Sequence, residues 1–336
     1  MATAPLLSIC VPTFDRPKYL ENCLNSILIS KKNSPNFPFE ICISQNGEDK
    51  KTENVVNNFI TKIPIKYNIN LTNIGITKNI IKVVEMSSAK FAWIIGDDDL
   101  ILPKTLQNLN DMFKNFDDVD YFFVNSYNLN YKYLEKFSHP FHTKELPNDM
   151  IKFSNVEKSF KSNVFWDIVD NKITFDYLMG IFYSIFNKKK WLDSIKYLNQ
   201  KDISNIKWLS NFHNSCFPSI LIVNSFKNSK VLYQSEPMSV NLYGLREWNH
   251  FYEFILAVRI PEILDYFHSK GMPSLKYLVC KNKSLDNFIP LIIKILFTYN
   301  GLKGREYLSI YKHILKNLFF PNVYFSLVRY CLNKLK

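Results

Sequence analysis

The sequence contains little glycine and no closely paired cysteines. Only 8 of its 336 residues are glycine, and neither GxGxxG nor GxxxxGK followed by Ser or Thr occurs. This excludes the two glycine-rich loops that commonly hold the phosphates of nucleotides. The 6 cysteines form no CxxC pair, and several lie in apolar runs, which is typical of buried free thiols in a reducing compartment.

Long apolar segments are also missing. The opening residues MATAPLLSIC have neither the basic stretch nor the long apolar stretch of a signal peptide. The apolar run at residues 288–299 is interrupted by Lys294 and is too short to cross a bilayer. We therefore expect a cytoplasmic protein.

Positive charge is concentrated near the C-terminus. The formal net charge is +12, and residues 270–336 hold ten Lys and two Arg against Asp286 and Glu306, a net charge of +10. Such a segment suits an anionic membrane face or a nucleic acid. No RNA-binding motif is present, so we expect no nucleic acid partner.

The basic segment also contains many aromatic residues. Residues 315–330 include Phe319, Phe320, Tyr324, Phe325 and Leu327 beside Lys316 and Arg329, which is the composition of an interfacial helix. One hypothesis is peripheral contact with the inner face of the cytoplasmic membrane. The alternative is a helix that packs on the rest of the protein and turns a basic face to water.

Strand-like and helix-like segments alternate over the first third of the chain. Apolar runs rich in strand formers lie at residues 6–12, 39–44, 63–68 and 91–95, and helical periodicity follows each of them. Asp15 is predicted to cap the first helix, which has Pro17 in its first turn. The pattern predicts an α/β fold with a doubly wound, mostly parallel sheet over residues 1–245. Residues 246–336 are predicted to form a basic helical appendage.

Polar residues follow three of the predicted strands. Residues 12–15, 45–47 and 97–99 all come at carboxyl ends, where open α/β sheets bind their ligands. Asp97, Asp98 and Asp99 form the sharpest feature, because three adjacent carboxylates resist burial without a cation. Mn²⁺ or Mg²⁺ would take one or two of them together with the oxygens of a diphosphate. The alternative is a solvated acidic turn that caps the helix beginning near Pro103.

Three motifs in residues 6–110 resemble those of the family 2 glycosyltransferases of the GT-A fold. The residues that match are Pro12, Thr13, Asp15, Arg16 and Leu20 in the first motif, Asn73, Gly75, Lys78 and Asn79 in the second, and Asp97–Asp99 with Leu102 and Pro103 in the third. The order and spacing of the three motifs make the resemblance specific. It implies transfer of a sugar from a nucleoside diphosphate sugar, with inversion, as in the assembly of bacterial surface polysaccharides such as capsule or lipopolysaccharide.

The resemblance also implies roles for individual residues. The turn formed by Pro12, Thr13, Phe14 and Asp15 would line the base and ribose, and the turn at Gln45 and Asn46 would face the base. Lys78 would lie near the diphosphate or ribose. Asp97 would approach the ribose with Asp98 beside it, and Asp98 or Asp99 would bind the metal.

The sequence departs from the family pattern at several positions. Gln45 stands where the family usually has an acidic residue, so the choice among UDP, dTDP, GDP and CDP stays open. Gly96 replaces the first aspartate of the D–x–D–D form. The Glu-Asp pair that supplies the catalytic base is not found, and His213 and Asp176 are the two candidates.

Later residues bear on the acceptor. Glu236, Pro237, Arg246 and Trp248 resemble an acceptor or diphosphate loop, and the expected acceptor is a glycan or a polyprenyl-diphosphate-linked glycan. Two alternatives from other classes remain at this point. They are a nucleotidyltransferase, which also needs aspartates and Mg²⁺, and a non-catalytic scaffold that keeps the fold.

Overall fold

The computed structural model describes residues 4–244, 250–297 and 304–335. Its strands are β1 (Leu7–Thr13), β2 (Phe39–Asn46), β3 (Ile65–Asn70), β4 (Phe91–Ile94), β5 (Leu100–Ile101), β6 (Tyr121–Asn130), β7 (Ile151–Lys152), β8 (Phe160–Ser162), β9 (Ser184–Asn187) and β10 (Val231–Tyr243). Its helices are α1 (Pro17–Asn33), α2 (Lys50–Phe59), α3 (Ile76–Glu85), α4 (Thr105–Asn115), α5 (Lys188–Asp193), α6 (Gln200–Ile203), α7 (Phe212–Ser215), α8 (Phe217–Phe226), α9 (Tyr252–Phe254), α10 (Ile260–Ser269), α11 (Ser274–Ser284), α12 (Phe288–Phe297) and α13 (Pro321–Leu335).

The described strands form one sheet in the order β3-β2-β1-β4-β9-β6-β10-β5, with β7 beside β6 and β8 beside β10. Strands β3, β2, β1 and β4 are parallel, and Leu7 of β1 lies opposite both Phe39 and Phe91. Strand β9 runs antiparallel between β4 and β6, so the second half of the sheet is mixed. The predicted α/β fold, with a mostly parallel sheet and a helical C-terminal region, is confirmed.

The parallel half forms where the sequence predicts it, because β1, β2 and β4 are buried on both faces. Leu7, Ile9 and Val11 are fully buried, and α1 buries Leu20 and Leu24 at helical spacing. The predicted helix cap is wrong. Asp15 lies in the left-handed region at φ +50°, and α1 begins after Arg16 without a side-chain cap. Pro17 is the first residue of α1 and has no backbone N–H. The N-terminus of this helix therefore has one fewer donor that needs a hydrogen-bond partner.

The later part of the sheet contains the longest strand described, and the sequence pattern hides it. Only residues 230–232 stand out as an apolar piece, whereas β10 has 13 residues. Pro237 interrupts the pattern, because proline cannot donate to a strand ladder. The register with β6 shifts between Gln234 and Ser239, which accommodates the proline in an irregularity.

The C-terminal helices join two apolar cores. Ile260 and Leu264 of α10 pack into the main core beneath the sheet. Phe254, Phe288 and Val323 belong to a smaller core formed among the C-terminal helices. The domain boundary at residue 245 stays a prediction. In the described part of the chain, no helix is both long and apolar enough to cross a membrane.

A charge cluster around the largely buried Glu262 holds residues 309–319 against α10. Glu262 accepts hydrogen bonds from Arg259 Nη1, from Lys312 Nζ at 2.9 Å and from His313 Nε2 at 3.1 Å. Burial opposes ionisation of Glu262. The His313 hydrogen bond and the charges of Arg259 and Lys312 outweigh it and lower the pKa of Glu262 to about 2. Arg259 also donates to Leu209 O at 2.8 Å, so the cluster connects three segments.

We expect Glu262→Gln to lower the free energy of unfolding by about 3 kcal/mol, because it leaves the buried Arg259 guanidinium without its counter-charge. The measurement is urea unfolding at pH 7. Because the pKa of Glu262 is depressed on folding, its contribution is complete above about pH 4.5 and is lost as pH falls towards 2. The difference between wild type and variant should therefore shrink over that range.

Glu236→Gln is the matched control, since Glu236 forms an exposed pair with Lys152 and should change stability by less than about 0.5 kcal/mol. Equal small effects of both variants would contradict the structural role of the cluster.

Candidate active site

A cleft of about 1190 Å³ opens at the carboxyl ends of β1, β2 and β4. The predicted site residues that line it are Pro12, Thr13, Phe14, Asp15, Asn46, Asp97, Asp98, Asp99 and Asp176. Its far wall comes from the C-terminal region and includes Tyr252 and Tyr307. The three sequence segments that precede α1, α2 and α4 are therefore brought together as the strand pattern predicts.

The acidic triplet is buried. Asp97, Asp98 and Asp99 are 5%, 3% and 1% exposed, so they do not form a solvated turn. Asp97 Oδ2 accepts a hydrogen bond from Thr13 Oγ1 at 2.7 Å, and Asp99 Oδ1 accepts one from Asn241 Nδ2 at 2.8 Å. The two outer carboxylates are thus fixed from opposite sides, by β1 and by β10.

Arg16 supplies positive charge to this cluster. Its Nη1 lies 3.6 Å from Asp97 Oδ1 and 3.5 Å from Asp98 Oδ2. Burial and the neighbouring Asp98 raise the pKa of Asp97 to about 7, although Arg16 and the Thr13 hydrogen bond oppose that shift. A bound cation would favour the ionised form of Asp97.

Gly96 leaves space beside two of these carboxylates. A Cβ at Gly96 would lie 2.6 Å from Asp98 Oδ1 and 2.9 Å from Asp99 Oδ2. The residue that replaces the family's first aspartate is thus one whose missing side chain lets both oxygens approach the backbone. The donor set fits a hard divalent ion that takes one or two carboxylates. Among the described residues, no group of three or more His, Cys, Asp or Glu is arranged to hold a metal ion. Further ligands would come from substrate or water.

The cleft also presents a flat aromatic ring. Phe14 is 49% exposed although it is large and apolar. A Cβ at Gly47 would lie 3.6 Å from Phe14 Cε2, so the ring rests against the β2 turn. Asp15 lies next to it on the same wall. Such a ring offers a surface on which a planar base can stack.

The predicted base-contacting turn contributes one residue to the cleft wall. Asn46 lines the cleft and holds the loop before α3, since its Nδ2 donates to Asn73 Oδ1 at 2.8 Å and its Oδ1 accepts from Ile74 N at 2.8 Å. Gln45 is fully buried. Its Nε2 donates to Gly47 O at 2.8 Å, and its Oε1 accepts from Tyr67 Oη. Gln45 is not among the described residues that line the cleft.

The second family motif has largely a structural role. Gly75 begins α3 at φ +86°, a conformation that favours glycine. Asn79 lines the cleft, and its side chain is held by Ser44, which donates from Oγ at 2.7 Å and accepts at its carbonyl at 3.0 Å. Lys78 is half-buried on the same helix and is not among the residues that line the cleft.

The two predicted bases occupy different places. Asp176 lines the cleft, where it accepts hydrogen bonds from Thr174 Oγ1 at 3.1 Å and from Tyr252 Oη at 3.5 Å. Burial raises the pKa of Asp176, and both hydrogen bonds oppose that shift. His213 is not among the described cleft residues. Its Nδ1 accepts from Asn199 N at 3.2 Å, and burial lowers its pKa.

Several cleft residues are absent from the sequence-based site. Arg16 belongs to the first motif, so the sequence could have indicated it as a site residue. Asn128 and Asn241 are paired across β6 and β10, and both line the cleft. Asn128 Oδ1 is buried and has no hydrogen-bond partner among the described residues. Tyr252 likewise had no sequence signal.

The predicted acceptor loop is only partly described. Glu236 of β10 is exposed and is not among the cleft residues. Arg246 and Trp248 lie outside the described residues. From the same stretch, Asn241 and Tyr243 reach the cleft instead.

Comparison with known proteins identifies relatives of the sequence. The abequosyltransferase RfbV of Salmonella typhimurium is 36% identical over 105 residues, which are 30% of this chain and 30% of RfbV. An uncharacterized glycosyltransferase of Methanocaldococcus jannaschii is 32% identical over 124 residues, which are 35% of this chain and 41% of that protein. The matches thus span less than half the length of either relative.

Solved structures share the fold at low sequence identity. TarS of S. aureus matches with a TM-score of 0.58 and 14% identity, over 90% of this chain and 76% of that one. The mannosyltransferase PcManGT of Pyrobaculum calidifontis matches with a TM-score of 0.51 and 9% identity, over 97% and 84% of the two chains. These likenesses support the fold.

The family itself follows from the sequence. Residues 8–192 match the family model described as Glycosyl transferase family 2, which is more than half of the chain and includes β1, the acidic triplet and Asp176. The predicted enzyme class is confirmed: this chain belongs to glycosyl transferase family 2.

Proposed function

We propose that the protein is a metal-dependent, inverting glycosyltransferase that moves a sugar from a nucleoside diphosphate sugar to a glycan or polyprenyl-diphosphate-linked acceptor. Its place would be surface-polysaccharide assembly at the cytoplasmic side of the membrane. The observation that carries the proposal is the meeting, in one cleft, of a buried carboxylate cluster, an exposed aromatic ring and Asp176.

The activities and ligands of related proteins support this class of reaction. One relative is named as an abequosyltransferase, TarS has been solved with UDP and with UDP-GlcNAc, and PcManGT with GDP-Man and Mn²⁺. These donors differ in both base and sugar. They support a nucleoside diphosphate sugar as the class of donor for this chain and leave the particular nucleotide open.

The donor would lie along the edge of the parallel half of the sheet. Phe14 would stack on the base, while Pro12 and Thr13 shape the wall and Asp15 and Asn46 offer polar atoms to the base and ribose. Gln45 and Lys78 stay predicted contacts. Gln45 would have to exchange its bond to Tyr67 for one to the ligand.

Asp98 and Asp99 would hold Mn²⁺ or Mg²⁺, and Asp97 would face the ribose. When bound, the metal would neutralise charge on the departing diphosphate. Arg16 lies beside Asp97 and Asp98, so its guanidinium would add positive charge on the same side of the donor. Asn241 keeps Asp99 oriented through its hydrogen bond. Asn128 Oδ1 would accept a hydrogen bond from a sugar hydroxyl.

Asp176 would act as the general base. The acceptor hydroxyl would attack the anomeric carbon while the bond from that carbon to the diphosphate oxygen breaks, and the hydroxyl proton would pass to Asp176. A single displacement of this kind inverts the anomeric centre. Asp176 is favoured over His213 because it lines the cleft and its pKa is raised by burial, as proton acceptance near neutral pH requires.

A thermal-shift panel of UDP, dTDP, GDP and CDP, each with and without Mn²⁺, tests the donor and metal sites together. We expect one diphosphate to raise the melting temperature of wild type only with Mn²⁺. Gly96→Ala and Asp99→Ala should weaken that binding about tenfold or more, because the first displaces two carboxylates and the second removes one.

Gly271→Ala is the control for the panel. A side chain at Gly271 meets nothing within 4 Å, but its φ of +105° makes the change costly by about 1 kcal/mol. This variant should melt earlier and keep the full ligand shift. If no nucleotide stabilises wild type under any condition, the proposed donor class is wrong.

Asp176→Asn should reduce kcat by about 10²- to 10⁴-fold, because the amide cannot accept the proton. The measurement is release of nucleoside diphosphate from the sugar donor whose nucleotide binds in the panel. His213→Ala and the exposed Asp167→Asn should retain activity within a few fold. A large loss in His213→Ala with near-normal activity of Asp176→Asn would assign the base to His213.

Tyr252→Phe should move the acidic limb of the kcat/KM profile to higher pH. The Tyr252 hydrogen bond favours the ionised carboxylate, so its removal raises the pKa of Asp176 further and the base is lost to protonation earlier as pH falls. The rate on the alkaline plateau should change little. A fall in rate that is equal at every pH would mean that Tyr252 only supports the cleft.

A further inference from the structure

Residues 310–314 form a π-helical turn and residues 315–319 a 3-10 helix, and this segment turns several apolar side chains to water although Ile314 and Leu318 pack against the C-terminal core. His313 and Asn317 face inward and are 5% and 4% exposed, whereas Tyr311 and Phe319 face outward at 72% and 88%. Leu315 lies between those two at the same four-residue spacing and is also exposed. A surface helix normally buries its apolar row and exposes its polar one.

Helix α13 also turns apolar side chains to water. Val323 and Ser326 are buried against the C-terminal core. The opposite side of the helix carries four exposed apolar side chains, namely Tyr324, Phe325, Val328 and Leu332. At 100° per residue, these four fall within a single third of the helix circumference. The side of α13 that faces away from the protein is therefore apolar along three turns.

Helix α11 extends the apolar surface. Leu275, Leu278 and Val279 share one face of this helix and are exposed. Asn282, one turn further along that face, accepts a hydrogen bond from Asn322 N at 2.9 Å. Because Asn322 belongs to the first turn of α13, this bond connects the end of α11 to the start of α13.

Basic residues border the apolar rows. Lys312 and Lys316 follow Tyr311 and Leu315 by one residue each, and both are exposed. Arg329 lies on the flank of α13. The segment from residue 270 onward has a net charge of +10, while the preceding 269 residues carry +2. Aromatic and aliphatic rows edged by Lys and Arg are the composition of interfacial membrane helices.

We propose that this surface, formed by the exposed apolar residues of α11, residues 310–319 and α13, docks on the anionic face of a lipid bilayer. Charge decides between occupants. A second copy of the chain would bring two strongly basic segments together, whereas an anionic bilayer offers both a counter-charge and an apolar interior. The inference stands on this surface alone and does not depend on the proposed reaction.

Docking would also orient the cleft. Tyr307 lines the cleft and comes three residues before Ile310, where the exposed apolar surface begins. The part of the cleft wall formed by Tyr307 would therefore lie on the membrane side. A sugar acceptor on a lipid carrier would reach the cleft from that side.

The test is co-sedimentation of the full chain with vesicles of phosphatidylcholine alone or with a quarter phosphatidylglycerol. We expect binding to the anionic vesicles that weakens as salt rises, and little binding to neutral ones. Phe319→Ser combined with Phe325→Ser should weaken binding at least about tenfold. Lys316→Glu should weaken it at low salt. Leu71→Ser, an exposed apolar residue outside this surface, is the matched control.

Each variant is also checked by its melting temperature and by the nucleotide thermal shift. Unchanged values would show that the fold and the cleft are intact, so loss of vesicle binding would be a property of the surface alone. Three results would overturn the proposal. They are equal binding to neutral and anionic vesicles, full binding by the double Phe variant, and wild-type dimerisation in light scattering that this variant abolishes.

Discussion

The cleft is organised around three buried carboxylates. Asp97, Asp98 and Asp99 follow β4 after a two-residue turn, and the guanidinium of Arg16 lies against Asp97 and Asp98. Bringing carboxylates into a low-dielectric site costs free energy unless a cation or a proton compensates, and the raised pKa of Asp97 expresses that cost. A divalent ion bound beside these carboxylates would lower that cost. Thr13, Gly96 and Asn241 can be understood as supports that keep the charge in place.

Much of this arrangement could be predicted from the sequence, because it depends on short-range patterns. Strands that are apolar on both faces and alternate with amphipathic helices specify the parallel half of the sheet, and the carboxyl ends of parallel strands must share one edge. Pro12, Asn46 and the acidic triplet were therefore placed together correctly. The resemblance to family 2 rests on the same stretch. The structure accounts for part of the second motif of that family. Gly75 adopts a positive φ, and Asn79 donates a hydrogen bond to the backbone near the end of β2.

The parts that escaped prediction depend on distant pairing or on backbone conformation. Asn241 meets Asp99 across 142 residues, and that contact follows from the register of β10, a strand that Pro237 conceals. Tyr252 reaches Asp176 only because the C-terminal helices fold back over the cleft. Asp15 looks like a helix cap, yet the left-handed turn that directs it into the cleft prevents capping. None of these contacts has a local period or spacing that a single sequence could reveal.

The carboxylate of Glu262 connects the cleft to the outer surface of the C-terminal region. Glu262 holds Lys312 and His313, and Ile314 and Leu318 pack against the C-terminal core, so this side of residues 310–319 is attached to the body of the protein. Tyr311, Leu315 and Phe319 lie on the side that remains exposed. The exposed apolar rows are therefore a consequence of how the segment is attached, rather than of poor packing. Because Tyr307 of the cleft precedes this segment, the same attachment sets the orientation of the cleft relative to whatever covers the apolar surface.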